Sequence, residues 1–161
     1  MKTMKKYIPL LFLSGVLLIS CSITEQSTSV YNEDVAQGTG NNIVDITESI
    51  FNRFSFTVRR TTRTDNRIMY ESDWKNRLLF PSEDSLGFSE VRNKLIIEAR
   101  PYMRTELTER RVYNVKFSGI TEYRREGDSN WYSEDINADA ENFLQEITYE
   151  LKTELERVLY Q

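Results

Sequence analysis

The chain has 161 residues, with 21 Lys and Arg against 25 Asp and Glu and a formal net charge of −4. It has no histidine and one cysteine. That excludes His-based zinc sites, Ser-His-Asp and Cys-His catalysis and any internal disulfide, leaving carboxylates, hydroxyls, amides, lysines and arginines for chemistry.

Lys2, Lys5 and Lys6 precede an almost wholly apolar run from Ile8 to Ile19, broken only by Pro9, Ser14 and Gly15. A basic start before so short an apolar run is the layout of a secretory signal, too short to span a bilayer. The run ends in Leu18-Ile19-Ser20-Cys21. This quartet resembles the lipobox of bacterial lipoproteins. The resemblance implies a signal peptide over residues 1–20, cleavage before Cys21, and diacylglycerol and palmitate carried from that residue. Ser22, standing where an aspartate would retain a lipoprotein at the inner membrane, implies the cell outer membrane, facing the periplasm or the exterior. Each buried acyl CH₂ contributes about 0.8 kcal/mol, so two or three chains anchor firmly where one does not. Loss of residues 1–20 removes three lysines and no acid, which takes the formal charge from −4 to −7.

From Ser22 to about Asn42 the chain is rich in Ser, Thr, Gly, Asn and Gln. Residues 21–42 therefore read as a flexible tether with an r.m.s. reach of roughly 25 Å, a hidden edge strand being the alternative. Residues 43–161 fit one domain with a single core. Ile43, Ile46 or Thr47, Ile50 or Phe51, and Phe54 recur at helical intervals, and Asn42 is placed to cap that helix. The period then drops to two: Phe54, Phe56 and Val58 alternate with Ser55, Thr57 and Arg59, predicting a strand to about Thr62. Thr64, Asp65 and Asn66 supply turn chemistry. A second strand follows, with Ile68, Tyr70, Ser72 and Trp74 on one face.

Residues 78–90, with Pro81 and Gly87, read as a loop. A third strand covers residues 93–102, where Leu95, Ile97 and Ala99 share a face and Pro101 marks an edge or bulge. The fourth, 111–123, places Tyr113, Val115 and Phe117 together, with Gly119 suggesting a bulge. Glu126 to Asn130 is a turn, and Trp131 and Tyr132 add a short strand. Phe143, Leu144, Ile147, Leu151, Leu155, Val158 and Leu159 then follow a 3.6 period over 137–160. The predicted fold is α+β: a two-layer sandwich with a mainly antiparallel four-stranded sheet. A short N-terminal and a long C-terminal helix cover one face, and the other face is wet.

A helix, a hairpin carrying Ile68-Met69-Tyr70-Glu71-Ser72-Asp73-Trp74, two long strands and a closing amphipathic helix resemble the small domains of BamC-type lipoproteins. These accompany the outer-membrane β-barrel assembly machinery. The resemblance spans about residues 43–161 and implies a non-catalytic envelope lipoprotein. The chain departs from that pattern in having one such domain and no glycine in the turn before Ile68.

Charge is segregated: residues 51–125 hold 16 Lys/Arg against 10 Asp/Glu, and residues 126–161 hold 2 against 10. Arg59, Arg60, Arg63 and Arg67 cluster about the first hairpin, while Arg111, Arg124 and Arg125, with Arg110, flank the fourth strand. Arginine's planar fork suits carboxylate and phosphate. These residues are candidates for binding another envelope protein or an anionic envelope component. The alternative is a solvated face with cross-strand ion pairs to Glu71, Glu98 and Glu122. Trp74, Trp131, Tyr70, Tyr113, Tyr123 and Tyr132 offer either an aromatic ligand surface or ordinary packing. Glu126 to Asn130 lacks the spacing of a calcium loop. No metal and no cofactor is expected, and compartment and net acidity speak against nucleic acid.

The leading expectation is a membrane-anchored, non-catalytic binding or assembly module that docks by strand addition or arginine contacts. The alternative is a lipid or lipopolysaccharide carrier with a groove between helices and sheet. A hydrolase would need two acids converging with perturbed pKa values.

Overall fold

The computed structural model describes residues 30–102 and 111–159. The segment read as a signal peptide, Cys21 and Arg110 lie outside the described residues. In chain order the elements are β1 (Val30–Thr39), α1 (Gly40–Arg53), β2 (Val58–Thr64), β3 (Arg67–Ser72), β4 (Lys75–Arg77), α2 (Pro81–Ser85), β5 (Phe88–Pro101), β6 (Val112–Arg125) and α3 (Ala138–Leu159). The sheet order is β1-β6-β5-β3-β2, every pair antiparallel, and β4 also pairs with β5.

The architecture is α+β, as the alternation of periods two and 3.6 predicts, but the sheet has six strands rather than four. One extra strand comes from the stretch read as a tether. Residues 30–39 pair with β6 from Val30↔Ile120 to Thr39↔Val112. Its apolar content is small because an edge strand needs little: Val35 is buried, and Tyr31 meets Phe117 edge-to-face at 6.0 Å. The other extra strand comes from a break at Ser72. The Ser72 hydroxyl accepts the N–H of Leu95 at 2.9 Å and donates to the Asp73 carbonyl at 2.8 Å. A side chain thus takes a ladder position, and the chain resumes pairing with β5 only at β4. Ile68, Tyr70 and Ser72 stay buried, whereas Trp74 turns to the opposite face.

β5 and β6, fourteen residues each, form the spine. Val91, Leu95, Ile97 and Ala99 on β5 and Tyr113, Val115 and Phe117 on β6 are buried, alternating with more exposed Arg, Lys, Glu, Asn and Ser. α1 presents Ile43, Ile46, Ile50 and Phe51 to this surface, and α3 presents Leu144, Ile147, Leu151 and Leu155. Each such side chain taken from water contributes roughly 1.5–3 kcal/mol against the entropy of ordering the chain. α1 ends at Arg53, where Ser55 adopts a left-handed φ of 54° and Phe56 drops into the core. The first hairpin strand therefore starts at Val58, not Phe54.

Gly119 is not a bulge, since its register with Leu95 and Tyr31 is continuous. Its role is space: a Cβ there would lie 2.6 Å from Cδ2 and 2.9 Å from Cδ1 of fully buried Leu144. The missing side chain lets α3 sit close to the sheet. Gly119→Ala should cost about 1–3 kcal/mol in urea denaturation. In the Leu144→Ala background the same change should cost less, and strict additivity in this cycle would refute the contact.

Candidate functional site

With both helices on one side, the other side of the sheet lies open, and its cross-strand register dictates its chemistry. Arg92 stands opposite Glu122 and Arg124 stands beside the paired Glu90. Arg92 donates twice to one Glu122 oxygen, at 2.5 and 2.8 Å, and Arg124 bonds Glu90. Glu71 lies between Arg60 at 2.6 Å and Lys94 at 3.3 Å. Glu98 lies between Arg67 at 2.7 Å and Arg100 at 2.8 Å. Partial burial would raise the Glu71 and Glu98 carboxyls. The hydrogen bond from Lys94 with the charge of Arg60, and the hydrogen bond from Arg100 with the charge of Arg67, outweigh it and hold both groups below their ordinary value.

Two indoles close over this ladder. The Arg92 guanidinium sits 4.4 Å from the Trp74 ring centre and 4.1 Å from that of Trp131. Lys94 lies 4.8 Å from Trp74, and Arg124 lies 4.9 Å from Trp131. The break after β3 delivers Trp74, and a two-way backbone pairing of Tyr132 with Tyr123 delivers Trp131. Cation–π contacts of this kind are worth about 0.5–2 kcal/mol each, rising with desolvation.

The seven arginines singled out by sequence do not form one patch. Arg60, Arg67 and Arg124 belong to the open face, paired as described. Arg63 points to the helix side, donating to Glu48 at 2.7 Å and to the Tyr70 hydroxyl. Arg111 reaches the turn after β2, donating to the Asp65 carbonyl at 3.1 Å. Arg125 stacks over Phe88, with Glu134 at 4.0 Å. Arg59 is exposed and has no acidic partner among the described residues. Arg63, Arg67 and Arg111 thus lie towards the hairpin end, Arg60 sits level with Ser118 through Glu71 and Ile96, and Arg124 lies about 20 Å further along β6. The ion pairs to Glu71, Glu98 and Glu122 are all formed. Of the aromatic residues, Tyr70, Tyr113 and Tyr123 are core, and the two tryptophans are at the surface chemistry.

Arg92 and Lys94 were not among the sequence candidates. Their alternation with Val91, Asn93 and Leu95 was the signal that could have found them. A second unforeseen feature is a buried clip that fastens α2 under the sheet's end. Arg77 donates to both oxygens of fully buried Glu83, at 2.6 and 2.7 Å, and to Asn93 at 2.9 Å. Asn93 in turn donates to Thr121 at 2.7 Å. Burial alone would raise the Glu83 carboxyl, but the Arg77 hydrogen bonds and the Phe80 N–H reverse that and leave it below its ordinary value. Burial and the neighbouring Glu83 charge push the Tyr123 hydroxyl up.

Among the described residues, cavities open at the rim between helices and sheet. One, of about 540 Å³, lies between the start of α1 and the β2–β3 turn, lined by Gly40, Asp45, Arg63 and Tyr113 among others. The second, of about 230 Å³, is lined by Phe88, Tyr123, Arg125 and Asn137 among others. Among the described residues no three Asp, Glu or Cys side chains converge as metal ligands. No described helix is long and apolar enough to cross a membrane.

No family model and no curated protein matches the chain. Among solved structures it is similar to the uncharacterized conserved protein YugN from Geobacillus kaustophilus HTA426. The two share 12% identity over 78% of this chain and 90% of that one, with a TM-score of 0.43.

The clip makes acid stability predictable. Because the folded-state Glu83 pKa is depressed, its stabilisation is present above the unfolded value of about 4.3 and is lost as pH falls through the folded value. Thermal melts should show stability falling below about pH 4, with a shallower fall in Glu83→Gln, itself less stable at neutral pH. Arg77→Met should cost about 3–5 kcal/mol at neutral pH by leaving the carboxylate buried and unpaired.

Proposed function

We propose that the protein is a lipoprotein of the outer membrane, anchored by lipid on Cys21, that acts as a non-catalytic binding or assembly module through the open face of its sheet. The carrying observation is the Trp74–Arg92–Trp131 stack, which holds cations and indoles in fixed positions on a face that no described element covers. Fixed aromatic and arginine side chains are the usual anchors of protein interfaces, because little conformational freedom remains to be lost on docking. The lipid would keep the module near its partner at high effective concentration.

The interior favours docking over lipid or lipopolysaccharide carriage. The space between helices and sheet is filled by fully buried Phe51, Tyr70, Phe117, Leu95, Ile97 and Leu151, and the two cavities described lie at the rim. The carboxylates favour a non-enzymatic role. Those with shifted pKa values, Glu71, Glu83 and Glu98, are all pulled down, so they serve as counter-ions and not as proton donors at neutral pH. The BamC-type resemblance makes an envelope assembly complex the setting this reading favours.

Affinity capture of the full chain from membranes in mild detergent tests the reading. Wild type should bring down a defined envelope partner. Trp131→Ala, checked for an unchanged circular dichroism spectrum, should retain about tenfold less of it. Cys21→Ser should leave the membrane pellet and take up no labelled palmitate. Full retention of the partner by Trp131→Ala would remove the open face from the mechanism, and a membrane-bound, palmitate-labelled Cys21→Ser would remove the anchor.

A further inference from the structure

Beyond the open face, we infer that the outer edge of β2 is a docking site for an extended acidic segment of a partner protein, which joins the sheet as a further strand. β2 ends the sheet order, with β3 as its one strand neighbour among the described residues. The hairpin closes at Thr64↔Arg67 around the two-residue turn Asp65-Asn66. Antiparallel alternation then directs the backbone groups of Thr62 towards β3 and those of Thr61 and Arg63 outward, where a strand could pair with them. Six of its seven residues are exposed, and it carries four β-branched side chains and no proline. Its register with β3 shifts between Val58 and Arg60, so the stretch from Arg60 to Thr64 is the part of this edge that no described residue covers and a strand could extend.

Charge decides which strand fits. Val58–Thr64 contains three arginines and no acid. Arg60 and Thr62 lie towards the open face, beside Glu71 and Met69, and Arg63 lies towards the helices, beside Ile68 and Glu48. An added strand would thus meet a guanidinium on either of its faces. Arg60 and Arg63 keep side-chain exposures of 64% and 50% despite their ion pairs, and Arg59 has no acidic partner among the described residues. These cations repel a second β2, so two copies cannot pair through this edge, while a strand bearing carboxylates is attracted. The opposite edge selects against the same ligand, because β1 carries Glu33 and Asp34. Main-chain bonds would supply affinity, and the arginines would supply the choice of partner.

The test uses the full chain in detergent micelles and a fluorescent synthetic peptide alternating glutamate and valine, with a lysine–valine analogue as control. The glutamate peptide should bind about tenfold tighter than the lysine one, a margin that shrinks as salt rises. Hydrogen exchange at Thr61 and Arg63 should slow on binding. Thr61→Pro, which removes an outward N–H and no bond to β3, should abolish binding without changing the circular dichroism spectrum. Arg59→Glu, on an exposed side chain, should erase the preference for glutamate and keeps the test decisive should Thr61→Pro misfold. Equal binding of both peptides, no saturable binding of the glutamate peptide, or binding without protection at Thr61 and Arg63 would each overturn the inference. So would concentration-dependent self-association that protects these amides without peptide, because β1 of a second copy would then be the strand. None of these outcomes depends on Trp131 or on the lipid, so this site and the open face stand or fall separately.

Discussion

An antiparallel sheet covered on one face only is the constraint from which the remaining features follow. Buried side chains on β5 and β6 must alternate with solvated ones, and α1 and α3 must both lie on the apolar side. Close approach of α3 then requires a glycine at 119 under Leu144. An uncovered apolar side would invite association, and this one is built from charges instead. Those charges meet across strands because the register places them opposite one another.

The ladder on the open face is not what holds the fold together. Partly exposed ion pairs contribute about 0–1 kcal/mol each, less than one buried leucine or isoleucine. What the ladder does is order the surface. Arg92 is tied to Glu122 and held between two rings, so its guanidinium has lost its rotamer freedom before anything docks. The buried Arg77–Glu83 pair does similar work below the sheet, where it fixes the segment from β4 to α2. Replacement of such a pair by apolar residues is often neutral, but removal of one partner is not. Its role is therefore to specify a conformation more than to add net stability.

How much of this was legible follows from the strength of local period. Both amphipathic helices, β6 and the hairpin carry clean periods and were readable to within a few residues, as was the turn at Gly127, whereas β5 begins at Phe88 and α2 forms inside the stretch 78–90 read as a loop. β1 was not, because an edge strand whose one buried large apolar side chain is Val35 has the composition of a linker. Trp74 continues the alternation of Ile68, Tyr70 and Ser72 in sequence but not in space, since the Ser72 hydroxyl interrupts the ladder. The arginines were visible as residues and invisible as partners. Whether Arg63 meets Glu48 or an open face depends on which way β2 faces, and that is a tertiary fact. Arg77 and Glu83 are six residues apart with opposite charges, a spacing that carries no signal until α2 folds under β5.

Partners are expected to meet the protein on the sheet side and not on the helix side. Site-specific photocrosslinking in intact membranes tests it most directly, with the photoreactive residue placed at Ser118 on the open face or at Tyr149 on the exposed side of α3. Adducts to a defined envelope protein from Ser118 and none from Tyr149 are the predicted result. Adducts from Tyr149 alone would contradict it.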